Sequence, residues 1–359
     1  MVLAIRTLAG ALLAAPAVAL TVSAAVAPVA STPTATADVP VAAASPVPLT
    51  QEYCDAHYGQ PVGEVFTWRA FTFQTYLGDA ACETHRQGTY LASGVSVDAA
   101  GDLVISARRH CTAGPVAEDT PVTEAPCEGD RAQYSVGRVR LADFRVPATD
   151  FEWGFEARLP ERSAPGARSA LWLVNLEQVY CAPEWGELDV LEWYSSRPEL
   201  PEAATHATCT DATYASWHHK PATWDWGTGG RTGFHRWAVR KETTAGPGGR
   251  TVTLSYLFDG RVHAVDTCQE KLPSATCAAV LDTAWTAILQ TAVFGDDSGP
   301  FLRPSDHADF PTQELVIRDM WVEELQELTG RPPPPRHPWP RSAPTPAHPA
   351  PSAAGAAAP

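Results

Sequence analysis

Glu184-Trp185-Gly186-Glu187-Leu188-Asp189-Val190-Leu191-Glu192-Trp193-Tyr194 sets four carboxylates and two tryptophans into an otherwise apolar, strand-like run that contains no Lys or Arg. Ionised groups on a buried or half-buried strand lose solvation, so a structural role for them requires paired cations. The run supplies none, and catalysis is the first explanation to test. Alternation along a strand puts Glu187 and Asp189 on one face and Leu188 and Val190 on the other. Glu192 falls out of phase with Glu187, and strict pleating aims it at the apolar side. Either a β-bulge between Asp189 and Glu192 returns it to the polar face, or there is no three-carboxylate site. Glu184 takes no part in the proposed chemistry.

With the bulge, Glu187 and Glu192 stand four effective steps apart, roughly 13 Å along the backbone at about 3.3 Å per residue. Two long Glu side chains leaning together can meet the about 5 to 5.5 Å separation of a retaining glycosidase. Three carboxylates so close cannot all ionise freely, so their pKa values spread into one protonated acid and one ionised nucleophile. Asp189, between them, is suited to share a proton with a Glu neighbour. Trp185 and Trp193 flank the motif and Trp217, Trp224 and Trp226 follow in a turn-rich stretch; aromatic faces bury the C–H faces of sugar rings. Trp172, alternating with Leu171 and Leu173, is expected in the core.

Outward from this strand, residues 49–327 show short β-branched and aromatic runs separated by Gly, Pro, Asp and Asn turns, without long amphipathic helices. Examples are 101–107, 134–140, 151–159, 170–174, 251–258, 287–294 and 314–323. That pattern predicts an all-β fold, a jelly-roll sandwich of two large sheets. Residues 1–37 have the layout of a secretory signal, with Arg6 ahead of an Ala/Leu/Val run and cleavage expected between about 25 and 37. Residues 38–48 read as linker. Residues 328–359, rich in Pro and Ala, cannot build a core and are expected to be a disordered tail.

Eight cysteines beyond the signal suggest disulfides in an exported chain, with sequence neighbours paired: 54 with 82, 111 with 127, 181 with 209 and 268 with 277. No zinc-like spacing is present. The formal charge of −15 argues against a nucleic-acid partner, whereas an uncharged polysaccharide is not repelled. The absence of a second apolar span argues against an integral membrane protein. There is no Gly-x-Ser-x-Gly elbow and no phosphate-binding Gly-Lys-Ser loop. Asp296 and Asp297 could bind a structural calcium, though a polar loop is the commoner reason for such a pair; no other cofactor is expected.

Glu187-Leu188-Asp189-Val190-Leu191-Glu192 resembles the Glu-x-Asp-x-x-Glu signature of glycoside hydrolase family 16 in its bulge-containing, laminarinase-like form. The segments 134–139, 153–159, 170–173, 234–239 and 258–260 also resemble strands and turns of that family, so the likeness spans most of 85–325. The resemblance implies a concanavalin-like jelly roll with an open substrate cleft on its concave sheet. It implies Glu187 as nucleophile, Asp189 as its assistant and Glu192 as acid/base in a retaining endo-hydrolysis, with β-1,3-glucan the family's default substrate. His218 aligns loosely with a cleft-lining histidine and joins Trp185, Trp193 and Trp217 as candidate sugar contacts. The chain departs from the family at Arg168-Ser169-Ala170, where many members have Trp-Pro-Ala, and at Gly295-Asp296-Asp297-Ser298. The expectation is a secreted, monomeric enzyme acting on a polysaccharide, with no nucleic-acid or membrane partner after signal removal. A carbohydrate-binding protein on the same scaffold, or a transglycosylase, are the alternatives.

Overall fold

In a computed structural model the chain divides into residues 1–47 and 48–359. The structure describes residues 63–80, 86–129, 131–142, 146, 148–175, 185–210, 213–219, 232–246, 249–271, 274–294, 304–305 and 307–325, all in the second unit. In chain order the strands are β1 (Val65–Trp68), β2 (Phe71–Thr75), β3 (Gly78–Asp79), β4 (Arg86–Gln87), β5 (Thr89–Tyr90), β6 (Val95–Val97), β7 (Leu103–Cys111), β8 (Ala132–Val136), β9 (Arg138–Leu141) and β10 (Phe151–Arg158). They continue as β11 (Ala167–Val174), β12 (Gly186–Tyr194), β13 (Glu202–Thr210), β14 (Thr213–His219), β15 (His235–Gly246), β16 (Gly249–Phe258), β17 (Arg261–Thr267), β18 (Thr286–Phe294) and β19 (Gln313–Glu324). Two short helices, α1 (Cys268–Lys271) and α2 (Ser274–Leu281), lie between β17 and β18.

These strands form two sheets of a jelly-roll sandwich, as the sequence pattern predicts. One runs β1-β2-β9-β18-β11-β12-β13-β14, with β4 also on β18; the other runs β17-β16-β15-β10-β19-β7-β8-β5-β3, with β6 on β7. Runs such as β11-β12-β13-β14 and β15-β16-β17 pair in sequence order, whereas β9-β18-β11 and β10-β19-β7 join strands distant in sequence; the described pairs are antiparallel except β5 with β8. Turn chemistry fixes the hairpins where it can: Asp259 and Gly260 join β16 to β17 with φ of 48° and 76°, the doubly positive pair a tight hairpin requires.

Period-two patterning decides which face enters the core. In β10, Phe151, Trp153, Phe155 and Ala157 are buried while Glu152, Glu156 and Arg158 are partly exposed. Across the sandwich Leu171, Leu173, Leu188, Leu191, Trp193 and Leu289 meet them in one cluster with Trp237, Val239, Leu254 and Ile317. Each large aromatic buries on the order of 150–250 Å², which at ~25 cal/mol per Å² is about 4–6 kcal/mol before ordering entropy. Polar contacts also tie the sheets: Tyr256 on β16 shares a hydrogen bond of 2.5 Å with Thr205 on β13 and lies 3.0 Å from the Ala204 carbonyl, and Arg138 on β9 donates to the Tyr90 hydroxyl on β5 at 3.3 Å.

Two disulfides join sequence neighbours, Cys111 with Cys127 and Cys268 with Cys277. Cys54, Cys82, Cys181 and the Cys209 side chain lie outside the described residues, as do Asp296, Asp297, Trp224, Trp226 and the two ends of the chain.

Candidate active site

The acidic strand β12 is interior, hydrogen-bonded to β11 on one side and β13 on the other. Its start is fixed by a glycine: a Cβ on Gly186 would meet Val280 Cγ1 at 2.5 Å and Trp285 at 3.0 Å. A larger residue there would push α2 away. Asn175 at the end of β11 locks the entry, accepting from the Gly186 amide at 2.8 Å and donating to the Val280 carbonyl at 3.2 Å. Sequence reasoning passed over both residues, since only the packing of α2 explains them.

The predicted bulge is present, and both neighbouring strands register it. Against β13, Asp189 pairs with Ala204 and Glu192 with Glu202, so three steps on β12 face two on its partner. Against β11, Leu191 pairs with Leu171 and Asp189 with Trp172, leaving Val190 as the extra residue. The bulge turns Val190 and Leu191 both into the core. Glu187, Asp189, Glu192 and Tyr194 therefore share the opposite face, beside Val174, Trp172, Ala170 and Arg168 of β11. Asp189 is 1% exposed and Glu192 4%; Glu187 is half-buried.

The cation that the motif lacks arrives from the neighbouring strand. Arg168 Nη2 is ion-paired with Glu192 Oε1, and Tyr194 donates its phenol to the same oxygen at 2.7 Å. Tyr194 is in turn flanked by two guanidinium groups, Arg168 at 5.5 Å and Arg197 at 5.2 Å from its ring centre. Arg197 also pairs with Glu202 at 2.5 Å. Asp189, beside Glu187 on the same face, also meets His206 Nε2 of β13 at 3.1 Å. Arg168 was visible in the sequence only as a departure from the Trp-Pro-Ala pattern. Nothing in the sequence marked His206.

These contacts set unequal charge states. Burial, reinforced by repulsion from Asp189, pushes the Glu187 carboxyl up to about 8. Burial also raises Glu192, but Arg168, the Tyr194 hydrogen bond and His206 outweigh it and hold that carboxyl below its ordinary value. Burial drives the Tyr194 phenol well above its usual range, so it stays a donor. The two glutamates are thus pushed in opposite directions, Glu187 toward its protonated form and Glu192 toward its charged form. One atom each of Glu187, Asp189 and His206 lies within 4.8 Å of the others.

The tryptophans are placed differently from the sequence reading. Trp193 is 0% exposed inside the core cluster, with Nε1 donating to the Pro198 carbonyl at 3.2 Å. Once the bulge puts Glu192 on the polar face, the next residue must point inward. Trp185 shares the phase of Glu187 but is 2% exposed, packed with Val174 and Ile288. Neither ring is left open to stack on a sugar. Trp172, expected in the core, is half-buried against that same group on the site face, 5.4 Å from the Arg138 guanidinium. In the backbone register Trp217 stands opposite Thr205 and His218 opposite Ala204; their side chains lie outside the described residues.

No protein-family profile matches the sequence, and no curated protein matches it either. Solved structures do match in fold. An endo-1,3-β-glucanase from Streptomyces sioyaensis superposes with a TM-score of 0.52 at 19% identity, covering 70% of this chain and 88% of that one. A family 16 endo-glucanase from Bacteroides ovatus gives 0.50 at 12% identity, covering 70% and 94%. A structure from work on endo-acting O-glycanases of the human gut microbiota gives 0.50 at 17% identity, covering 74% and 90%. The chain has the laminarinase-like jelly-roll fold of glycoside hydrolase family 16 structures.

Proposed function

We propose that the protein is a secreted, retaining endo-glycoside hydrolase that cleaves internal β-glycosidic bonds of a polysaccharide, with a β-1,3-glucan as first candidate. The observation that carries this reading is the bulge in β12, which gathers Glu187, Asp189 and Glu192 on one face. Binding alone needs aromatics and hydrogen bonds, not two glutamates and an aspartate gathered on one face of a bulged interior strand. Glu187 is the nucleophile: one carboxylate oxygen bonds to the anomeric carbon as the glycosidic C–O bond breaks. Glu192, once it has taken up a proton, gives it to the departing oxygen, then takes one from the water that releases the sugar. Asp189, oriented by His206, steadies Glu187. The endo-1,3-β-glucanase fold neighbour supports the choice of first substrate.

The test is incubation with laminarin, mixed-linkage glucan, xyloglucan, galactan, agarose, carrageenan and a mucin O-glycan, with product analysis. New reducing ends on internal fragments, with the β-configuration first formed by NMR, are expected from at least one polymer. Glu187→Gln should lower turnover at least about a thousandfold while leaving folding intact. No new reducing ends from any polymer, or an undiminished Gln variant, would overturn the assignment.

A further inference from the structure

Arg168 is the only charged residue of β11, and its guanidinium and the Tyr194 phenol both occupy Oε1 of Glu192. A guanidinium and an acid proton compete for the same carboxylate charge, so this pairing opposes the state a general acid needs. We propose that Arg168 is a positioning residue that keeps Glu192 charged in the resting site, so that the leaving group can be protonated only after Glu192 has taken up a proton against that ion pair. The inference rests on the glycosidase reading above and names what limits it: Arg168 acts as a brake.

The groups facing Glu192 can be named element by element. They are Arg168 on β11; Glu187, Asp189 and Tyr194 on β12; and His206 and Glu202 on β13, the last already held by Arg197. On β18 the residue opposite Ala170 is Gln290, which is neutral, and opposite it on β9 stands the buried Arg138, whose guanidinium lies against Trp172 and not on Glu192; the side chains of β14 lie outside the described residues. Arg168 is thus the one cation in direct contact with Glu192 among the described residues. The directions of titration agree with the geometry, since Glu192 is held low and Glu187 is pushed up.

The kinetic consequence has a definite sign. The reactive form, with Glu187 charged and Glu192 protonated, carries the same number of protons as the resting form. Its share is therefore constant between the two titrations and shrinks tenfold for each pH unit that separates them. The acid limb of the rate profile then belongs to Glu192 and the alkaline limb to Glu187. Removing the positive charge raises the Glu192 pKa, narrows the gap and enlarges the reactive share.

Arg168→Gln is therefore expected to move the acid limb of kcat/KM to higher pH and to raise the plateau about tenfold for each unit moved. Arg168→Lys, which restores the charge, should return both toward the parent. An unmoved acid limb overturns the proposal. So does a shifted limb with a lower plateau, which would mean that Glu192 is the attacking group. A readout without substrate keeps the two readings apart: ¹³C titration of the glutamate carboxyls, with Glu192 assigned by its loss in Glu192→Gln. The parent Glu192 midpoint should lie below the ordinary carboxylate value and rise in Arg168→Gln. A parent midpoint at or above that value overturns the brake whether or not any polymer is cleaved. A low midpoint in a protein that cleaves nothing leaves the charge arrangement standing and rejects the hydrolase.

Discussion

Glu187 makes folding stability depend on pH in a direction opposite to that of most paired carboxylates. Its carboxyl titrates near 8 in the folded chain against an ordinary value of 4.5. Between those values the folded state holds more protons than the unfolded one, so stability falls as pH rises through the window. Glu187→Gln removes that dependence. The variant should melt several degrees above the parent at about pH 8 and together with it near pH 4, as read by thermal denaturation across the range. Equal melting temperatures at alkaline pH would show that Glu187 is solvated and already charged. Arg109 shows a different use of a buried cation. It donates to the Ala308, Glu124 and Ala125 carbonyls at 2.5–2.6 Å, and so holds two separate loops to the end of β7 without any carboxylate.

At the level of the element, β12 works through parity. The bulge takes up one of the five steps from Glu187 to Glu192, and only an even number of paired steps keeps Glu192 in phase with the chemistry. Deleting Val190 gives a regular strand in which Glu187, Asp189 and Glu192 still share a face. It should cost about 1.5–3 kcal/mol for the lost buried side chain and keep activity within about tenfold. Inserting one alanine after Val190 turns Glu192 toward the core and should abolish activity while lowering stability far more. Urea denaturation and reducing-end assays on the pair would decide it, and a fully active insertion variant would sink the phase argument. This strand was also the most legible part of the sequence. Its spacing forecast the bulge because pleating is a local rule, and the same rule could have sent Trp193 inward. Arg168 and His206 were not legible, because strand order is set by long-range pairing. No local pattern says that β11 and β13 flank β12, so the ion pair across 24 residues emerged only with the sheet. Trp185 was misread for a related reason: its phase was right, but Val174 and Ile288 that cover it come from β11 and β18.

For the molecule as a whole, stability is shared between one large core and two disulfides, of which Cys268–Cys277 lies inside that core. Cys111–Cys127 closes a loop of 16 residues, for which loss of chain entropy in the unfolded state is worth about 3 kcal/mol. The double serine variant should lose about that much in urea denaturation at equal protein concentration, and a loss under about 0.5 kcal/mol would show that Arg109's grip on the same loop suffices. The all-β class and the sandwich were readable from turn-punctuated short strands, whereas the sheet order was not. The bulged strand has one further consequence. It behaves like a dislocation in a lattice: β11 and β13 close it in on both sides, so the defect has no free edge through which to glide away. It can be annealed out by deletion but not displaced along the strand without swapping a carboxylate for an apolar side chain. The three acids are therefore locked to the sheet as a single rigid body, and any adjustment to substrate falls to protons and to Arg168, not to the backbone beneath them.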